Sequence, residues 1–321
     1  MKYIIVLVLA IFSANIASAV DTEITIGTGT ITGIYYPAGG SICRLLNKYS
    51  KDYHLRCTVK ATNGSVSNLE DLEAGKYDFA IVQSDQLHFF YNGLRNFTDK
   101  GPNKSVRAVF SLHNDVLTLI TRVNSKIKHY GDLKNHKIYD GGEGSGTRAL
   151  FQVLIDTEGW NPDNFPLTNN VKQGEQAEAL CSNKIDGALF AAGHPNGTIQ
   201  DITTSCESII LPINGDEIGR MIKQNPYYNN MIIFGNLYPG NLNNIESFGT
   251  KAVLITLEGT SELAVYQLVK SVFENFDRFK KFHPVFASLD MKGMVSQAIT
   301  IPMHKGAEKY FIEKGLIKGD N

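Results

Sequence analysis

Lys76-Tyr77-Asp78-Phe79-Ala80-Ile81 and Lys184-Ile185-Asp186-Gly187-Ala188-Leu189 share one pattern, Lys-x-Asp-x-Ala-[Ile/Leu]. Each stretch follows an amphipathic helical segment. Each ends in a small or polar turn, Gln83-Ser84-Asp85 in the first case and Ala191-Ala192-Gly193 in the second. A pattern in the same setting in both halves of the chain implies two lobes of like topology.

Outward from the first copy, residues 23–27 are β-rich and are followed by a Gly/Thr loop over 27–33. Tyr35-Tyr36-Pro37 leads into a helical pattern over 38–49, where Pro37 suits the first turn because its missing N–H costs nothing there. Residues 56–61 alternate like a strand. Ser65 is a good N-cap, Val66, Leu69 and Leu72 share one helical face, and Gly75 fits the position just past the helix end. Residues 78–82 form a short buried strand, and 83–85 open the next helix. The order β-α-β-α-β-α predicts a mainly parallel sheet with helices on both faces.

The second copy has similar surroundings. Residues 137–140 read as a strand, 141–147 as a glycine-rich loop, 148–158 as a helix closed by Gly159, 175–181 as a helix and 185–190 as a strand. The long β-rich stretch 106–122 and the shorter run 251–256 are the expected crossings between lobes. An amphipathic helix over 261–276 returns to the first lobe. The expected division is therefore 20–117 plus 251–321 for lobe I and 118–250 for lobe II, with a hinge between them.

Lys2, an apolar run over 3–16 and Ala17-Ser18-Ala19 give the charge, core and small-residue order of a signal peptide over 1–19, cleaved after Ala19. The run is shorter than the roughly 20 residues a membrane-spanning helix needs. The first cysteine is Cys43, so no lipid-anchor site lies near the cleavage point. These features predict a freely diffusing protein of the periplasm, and a monomer is expected. The formal net charge is −1 and the hydrophobic content 43%, which leaves no electrostatic footprint for nucleic acid. In an exported chain, four cysteines invite disulfides. Their spacing suggests Cys43–Cys57 and Cys181–Cys206, while two other pairings remain open. No Cys-x-x-Cys occurs and the histidines are scattered, so no metal site is expected.

Gly141-Gly142-Glu143-Gly144-Ser145-Gly146-Thr147-Arg148 lies between a strand and a helix. Glycines there let backbone N–H groups converge at a helix N-terminus, a cradle for a carboxylate or phosphate. The loop lacks the Lys-[Ser/Thr] of a P-loop. Gly27-Thr28-Gly29-Thr30-Ile31-Thr32-Gly33 places its last glycine one residue too far along for a dinucleotide loop, so no cofactor is expected. It reads instead as a ligand-facing loop at the carboxyl end of a strand. The expected ligand-binding residues are Thr30, Tyr35, Tyr36, Asn63, Ser65, Asn68, Gln83, Ser84, Asp85, Gly144, Ser145, Gly146, Thr147, Ala192 and Gly193. His194 is a candidate cleft residue, though a lone histidine is more often structural. No nucleophile elbow, no His-Glu-x-x-His and no nucleophile–base pair is evident, so binding without catalysis is expected. The rival readings are an exported enzyme using the same cleft and a surface antigen or adhesin with a vestigial one.

Several stretches together cover nearly the whole chain after the signal peptide. They are residues 26–29, Tyr35-Tyr36-Pro37-Ala38-Gly39-Gly40, Asn63-Gly64-Ser65-Val66-Ser67-Asn68-Leu69, Ala80-Ile81-Val82-Gln83-Ser84-Asp85, 144–148, Ala192-Gly193-His194-Pro195-Asn196 and 301–307. In these the chain resembles the TAXI family of TRAP-transporter solute receptors. The resemblance implies a two-lobed type II periplasmic-binding-protein fold that closes like a clamshell. It also implies a small carboxylate or amino-acid ligand, such as glutamate, glutamine or a related acid, and delivery to an ion-driven membrane permease. The cysteines also look like the family's. The chain departs from the family at 29–33, where Thr, Ile and Thr replace a glycine-rich run.

Overall fold

A computed structural model describes residues 22–165, 171–172 and 174–319. The expected signal peptide and its cleavage point lie outside the described residues. The first half of the chain runs β1 (Thr22–Gly27), α1 (Tyr35–Asn47), α2 (Ser50–Tyr53), β2 (Leu55–Lys60), α3 (Ser65–Glu73), β3 (Phe79–Gln83) and α4 (Ser84–Asn92). The long strand β4 (Val106–Arg122) leads to β5 (Ile138–Tyr139), α5 (Gly146–Thr157), α6 (Gln176–Cys181), β6 (Gly187–Ala192), α7 (Gly197–Ser205), β7 (Ser208–Leu211), α8 (Asp216–Gln224) and β8 (Asn229–Ile233). The return is by β9 (Ile245–Leu257), followed by α9 (Glu262–Phe273), α10 (Phe276–Lys280), α11 (Met291–Ser296) and α12 (Lys305–Glu313).

The repeated Lys-x-Asp motif has a structural job, and it is the same in both copies. Thr25 N–H donates to Asp78 Oδ2 (2.8 Å), and Asp78 N–H donates to the Thr25 carbonyl (3.1 Å). Lys137 N–H donates to Asp186 Oδ2 (2.9 Å), and Asp186 N–H donates to the Lys137 carbonyl (2.8 Å). The parallel ladders then continue in matching register, Ile26↔Phe79 and Gly27↔Ala80 against Ile138↔Gly187 and Tyr139↔Ala188. At each strand entry the aspartate side chain satisfies an N–H that would otherwise be left over at the ladder's edge.

The sheet order is β2-β1-β3-β9-β4-β6-β5, with β7 on β4 and β8 on β9. The expectation of a mainly parallel sheet is corrected here. Parallel pairing is confined to β1 with β2 and β3, and β5 with β6. The pairs β3–β9, β4–β9, β4–β6, β4–β7 and β8–β9 are antiparallel. The cause is β4 and β9, which run through both halves in opposite directions and supply every antiparallel pair. β4 pairs with β9 over 106–116, then with β6 and β7 over 116–122. Its almost unbroken burial fits a strand covered on both faces. Register shifts between Ala108 and Phe110 and between Ser111 and Asn114 interrupt its ladder with β9, as expected where a long strand must bend.

Two local expectations are also revised. α1 begins at Tyr35, so Pro37 is its third residue, still among the N–H groups with no intrahelical acceptor. Ser65 is not an N-cap. Gly64 (φ 120°) holds that position, and the Ser65 hydroxyl accepts from Gln83 N–H instead (3.0 Å). Both local disulfides form, Cys43–Cys57 between α1 and β2 and Cys181–Cys206 between the ends of α6 and α7, with Cα–Cα separations of 4.9 and 5.7 Å.

α9 buries Val265, Leu268, Val269 and Val272 in one core with Ile42, Leu45 and Leu46 of α1. A second core joins the two halves, since Leu69 and Leu72 of α3 and Leu87 and Phe90 of α4 share it with Leu150 and Leu154 of α5. No helix among the described residues is long and apolar enough to cross a membrane.

Candidate functional site

A cavity of ≈ 110 Å³ lies where the loops after β1, β2 and β3 meet those after β5 and β6. Four helices begin on its wall. Ile34 and Tyr35 open α1, Gly64 and Ser65 open α3, Ser145, Gly146 and Thr147 open α5, and Asn196 and Thr198 flank the start of α7. These helices are 13, 9, 12 and 9 residues long. Each carries roughly half a positive elementary charge at its N-terminus, together with first-turn N–H groups that have no acceptor within the helix. Among the described residues, no Lys, Arg, Asp or Glu lines the cavity. The attraction for an anion therefore comes from backbone and dipoles, not from a basic side chain.

At α5, Ser145 donates to the Gly142 carbonyl (2.8 Å) and accepts from Arg148 N–H (3.1 Å). Its hydroxyl is fully engaged as a cap. The N–H groups of Gly146 and Thr147, both wall residues, have no backbone or side-chain acceptor among the described residues. Thr147 Oγ1 accepts from Ala191 N–H (3.0 Å), which leaves its own proton to donate. Arg148 does not serve as an anion clamp here. Its guanidinium makes a two-point pair with Asp140, at 2.8 and 2.9 Å.

The remaining wall is amide and aromatic. Gln83 is 2% exposed and lies against Gly146, and its Oε1 has no hydrogen-bond partner. Tyr139 accepts at its hydroxyl from Gln176 Nε2 (3.0 Å), and its ring lies 5.8 Å from that of Phe190. Tyr35 donates to Asp115 Oδ2 (2.5 Å). Burial, and then the Asp115 charge, push this phenol well above its ordinary range. Tyr35 thus presents a ring whose hydroxyl proton is already committed.

Of the residues expected from the sequence, Thr30, Tyr35, Asn63, Ser65, Gln83, Ser145, Gly146, Thr147 and Ala192 stand on this wall, and the other six do not. Tyr36 falls one residue beyond Tyr35 along α1. Asn68 is buried and donates to the carbonyls of Thr28 and Ile81 (2.5 and 2.8 Å), tying the β1 loop to β3. Ser84 donates to the Tyr227 carbonyl and accepts from Lys251 N–H, both at 3.2 Å. Asp85 is enclosed by Gln86 and Tyr228, and burial raises its carboxyl to about 6. The Gly144 carbonyl accepts from Ser67 N–H (3.1 Å). Gly193 packs against His113 and Val285.

His194 is likewise structural. Tyr238 accepts from Asn196 N–H (2.8 Å), so its proton goes to His194 Nδ1 (2.7 Å), and Nε2 donates to Thr118 Oγ1 (2.9 Å). Burial lowers this imidazole to about 3. The wall residues that the sequence reading missed include Thr32, Ile34, Tyr139, Gln176, Phe190, Ala191, Asn196 and Thr198. Asn196 carried a usable signal, a cap residue following the second copy's turn. Among the described residues, no group of three or more His, Cys, Asp or Glu is placed to hold a metal ion.

A model of the NMT1-like family matches residues 26–315. Solved structures with a similar fold include a protein of Bordetella bronchiseptica RB50, at 14% identity and TM-score 0.54, covering 91% of this chain and 98% of that one. A putative L-cystine ABC transporter protein from Listeria monocytogenes is 16% identical with TM-score 0.51, covering 82% and 95%. A structure concerned with glutathione import via GshT and the cystine ABC importer TcyBC of Streptococcus mutans is 12% identical with TM-score 0.51, covering 83% and 95%. At these identities the likeness concerns the fold, a mixed sheet flanked by helices of the periplasmic-binding-protein kind.

Proposed function

The chain belongs to the NMT1-like family, and from that premise we propose that it is an exported solute-binding receptor. It captures a small carboxylate and hands it to a membrane transport component. The observation that carries the reading is the cavity wall, where four helix N-termini converge and no charged side chain stands among the described residues. Such a wall stabilises an anion by oriented N–H groups and releases it without breaking a strong ion pair.

The two lobes, 20–117 with 251–321 and 118–250, move about β4 and β9, the two strands common to both halves. Thr198 Oγ1 donating to Thr32 Oγ1 (3.0 Å) and Ser67 N–H donating to the Gly144 carbonyl (3.1 Å) fasten the closed form. The receiving component is an ion-coupled permease of the TRAP type, in line with the motif resemblance. The site binds without catalysing. Ser145 is occupied as a cap, and His194 is held neutral between Tyr238 and Thr118.

The test is a thermal-shift screen of the protein after unfolding and refolding to strip bound solute. A small carboxylate that binds the folded state raises the midpoint in proportion to RT ln(1 + [L]/Kd). Thr147→Val, which removes a wall donor, is expected to reduce that rise. No response to any small organic anion would sink the proposal.

A further inference from the structure

We infer that the captured carboxylate carries a hydroxyl, not an ammonium, beside its acidic group, and that Gln83 selects for it. This rests on the receptor reading above and narrows its substrate class. The wall offers donors that have no protein acceptor: the N–H groups of Gly146 and Thr147, and the hydroxyl protons of Thr147 and Tyr139. A carboxylate answers these. Among the described wall residues, Gln83 Oε1 is the side-chain acceptor that is both buried and without a partner. A buried amide oxygen left unpaired in the loaded state would be costly, so the ligand brings a donor to it.

That donor is a hydroxyl because nothing on the wall compensates a cation. The two nearby carboxylates are already committed. Asp115 accepts from Tyr35, and Asp140 is held by Arg148 and by Gly142 N–H (3.1 Å). Neither lines the cavity. Four positive helix ends facing an ammonium add repulsion, and an ammonium removed from water without a carboxylate partner is strongly disfavoured. A neutral hydroxyl donates to the amide at no such cost. Phe190, Ala191 and Ala192 supply apolar surface for the carbon skeleton.

Isothermal titration of the stripped protein with matched pairs tests this: L-lactate against L-alanine, and 2-hydroxyglutarate against glutamate. In whichever pair binds, the hydroxy acid is expected to bind at least about tenfold more tightly, a difference of about 1.4 kcal/mol. Gln83→Glu supplies the missing carboxylate. It should weaken the hydroxy acid and strengthen the amino acid, inverting the order. Gln83→Met keeps the site neutral and removes the acceptor, and should bring the two members of the pair together should Gln83→Glu fail to fold. An amino acid that binds as well as its hydroxy partner in the wild type overturns this inference and leaves the carboxylate receptor standing. Failure of both pairs, with no other small organic anion binding, overturns the receptor reading and this inference with it.

Discussion

Gly146→Ala separates binding from folding at one atom. A Cβ at this position would lie 2.5 Å from Gln83 Cδ, closer still to Oε1, and 2.8 Å from Ser65 Oγ. The nearest obstacle is the end of a flexible side chain, so the protein accommodates the methyl by turning the Gln83 amide away, with a small shift of the Ser65 hydroxyl. Forcing that side chain off its rotamer costs about 1 kcal/mol. Gly146 is the first residue of α5, where alanine gains only part of its helix-interior advantage of about 1 kcal/mol over glycine, so the ligand-free protein should lose less than about 1 kcal/mol. Binding has no such offset. With the amide displaced, the solute's donor is left unsatisfied in a buried site, which costs about 2 kcal/mol. That is roughly a 30-fold rise in Kd. Isothermal titration gives the Kd, and a ligand-free melting curve supplies the stability control. A variant that folds normally and binds within about threefold of wild type would show that Gln83 does not meet the solute.

Three further predictions concern the fold. Reducing the disulfides, which span 14 and 25 residues of sequence, is expected to cost about 3 kcal/mol each from restored chain entropy; a denaturation midpoint unmoved by reductant would contradict this. Asp85 has its carboxyl raised from 3.8 to about 6 by burial. Between those values the folded protein holds the proton more tightly than the unfolded chain, so stability falls as pH rises through the window, by about 3 kcal/mol in total. Asp85→Asn should remove that fall, and an unchanged pH profile of denaturation would refute the assignment. His194 works in the opposite direction. With its imidazole lowered from 6.5 to about 3, the unfolded chain takes up a proton that the folded chain refuses, and stability rises with pH across that interval. NMR titration should find this ring still neutral near pH 5, and a midpoint close to 6.5 would show that it is exposed.

The repeated Lys-x-Asp-x-Ala motif was legible because its work is local. An aspartate at the entry of a parallel strand closes the ladder beside it, and the same contact recurs at Asp78 and Asp186. Sheet polarity was not legible. Whether β4 and β9 run with or against their neighbours depends on how a 17-residue strand and a 13-residue strand return across the sheet, and no local pattern encodes that. Ser65 shows the same limit on a smaller scale. Its type and place suit a cap, but the Gln83 N–H, distant in sequence, claims its hydroxyl.

The site followed the same division. Glycine-rich starts of helices are written in the sequence, and Gly146 and Thr147, at one of them, do stand on the cavity wall. Which hydroxyls remain free there is decided by distant partners, as when Ala191 N–H occupies one side of Thr147 Oγ1. Yet the repeat held more of the wall than was read from it. Carried on three residues past Ala80 and Ala188, it makes Gln83 the counterpart of Ala191, and both line the cavity. One copy ends in an amide and the other in a methyl group. Two strands of matching register therefore deliver unlike surfaces to one cavity, a polar end toward β3 and an apolar end toward β6 beside Phe190. If the cavity binds the proposed solute, the difference between Gln83 and Ala191 helps to set the direction in which it lies, and position 83 is where selectivity should be easiest to re-engineer.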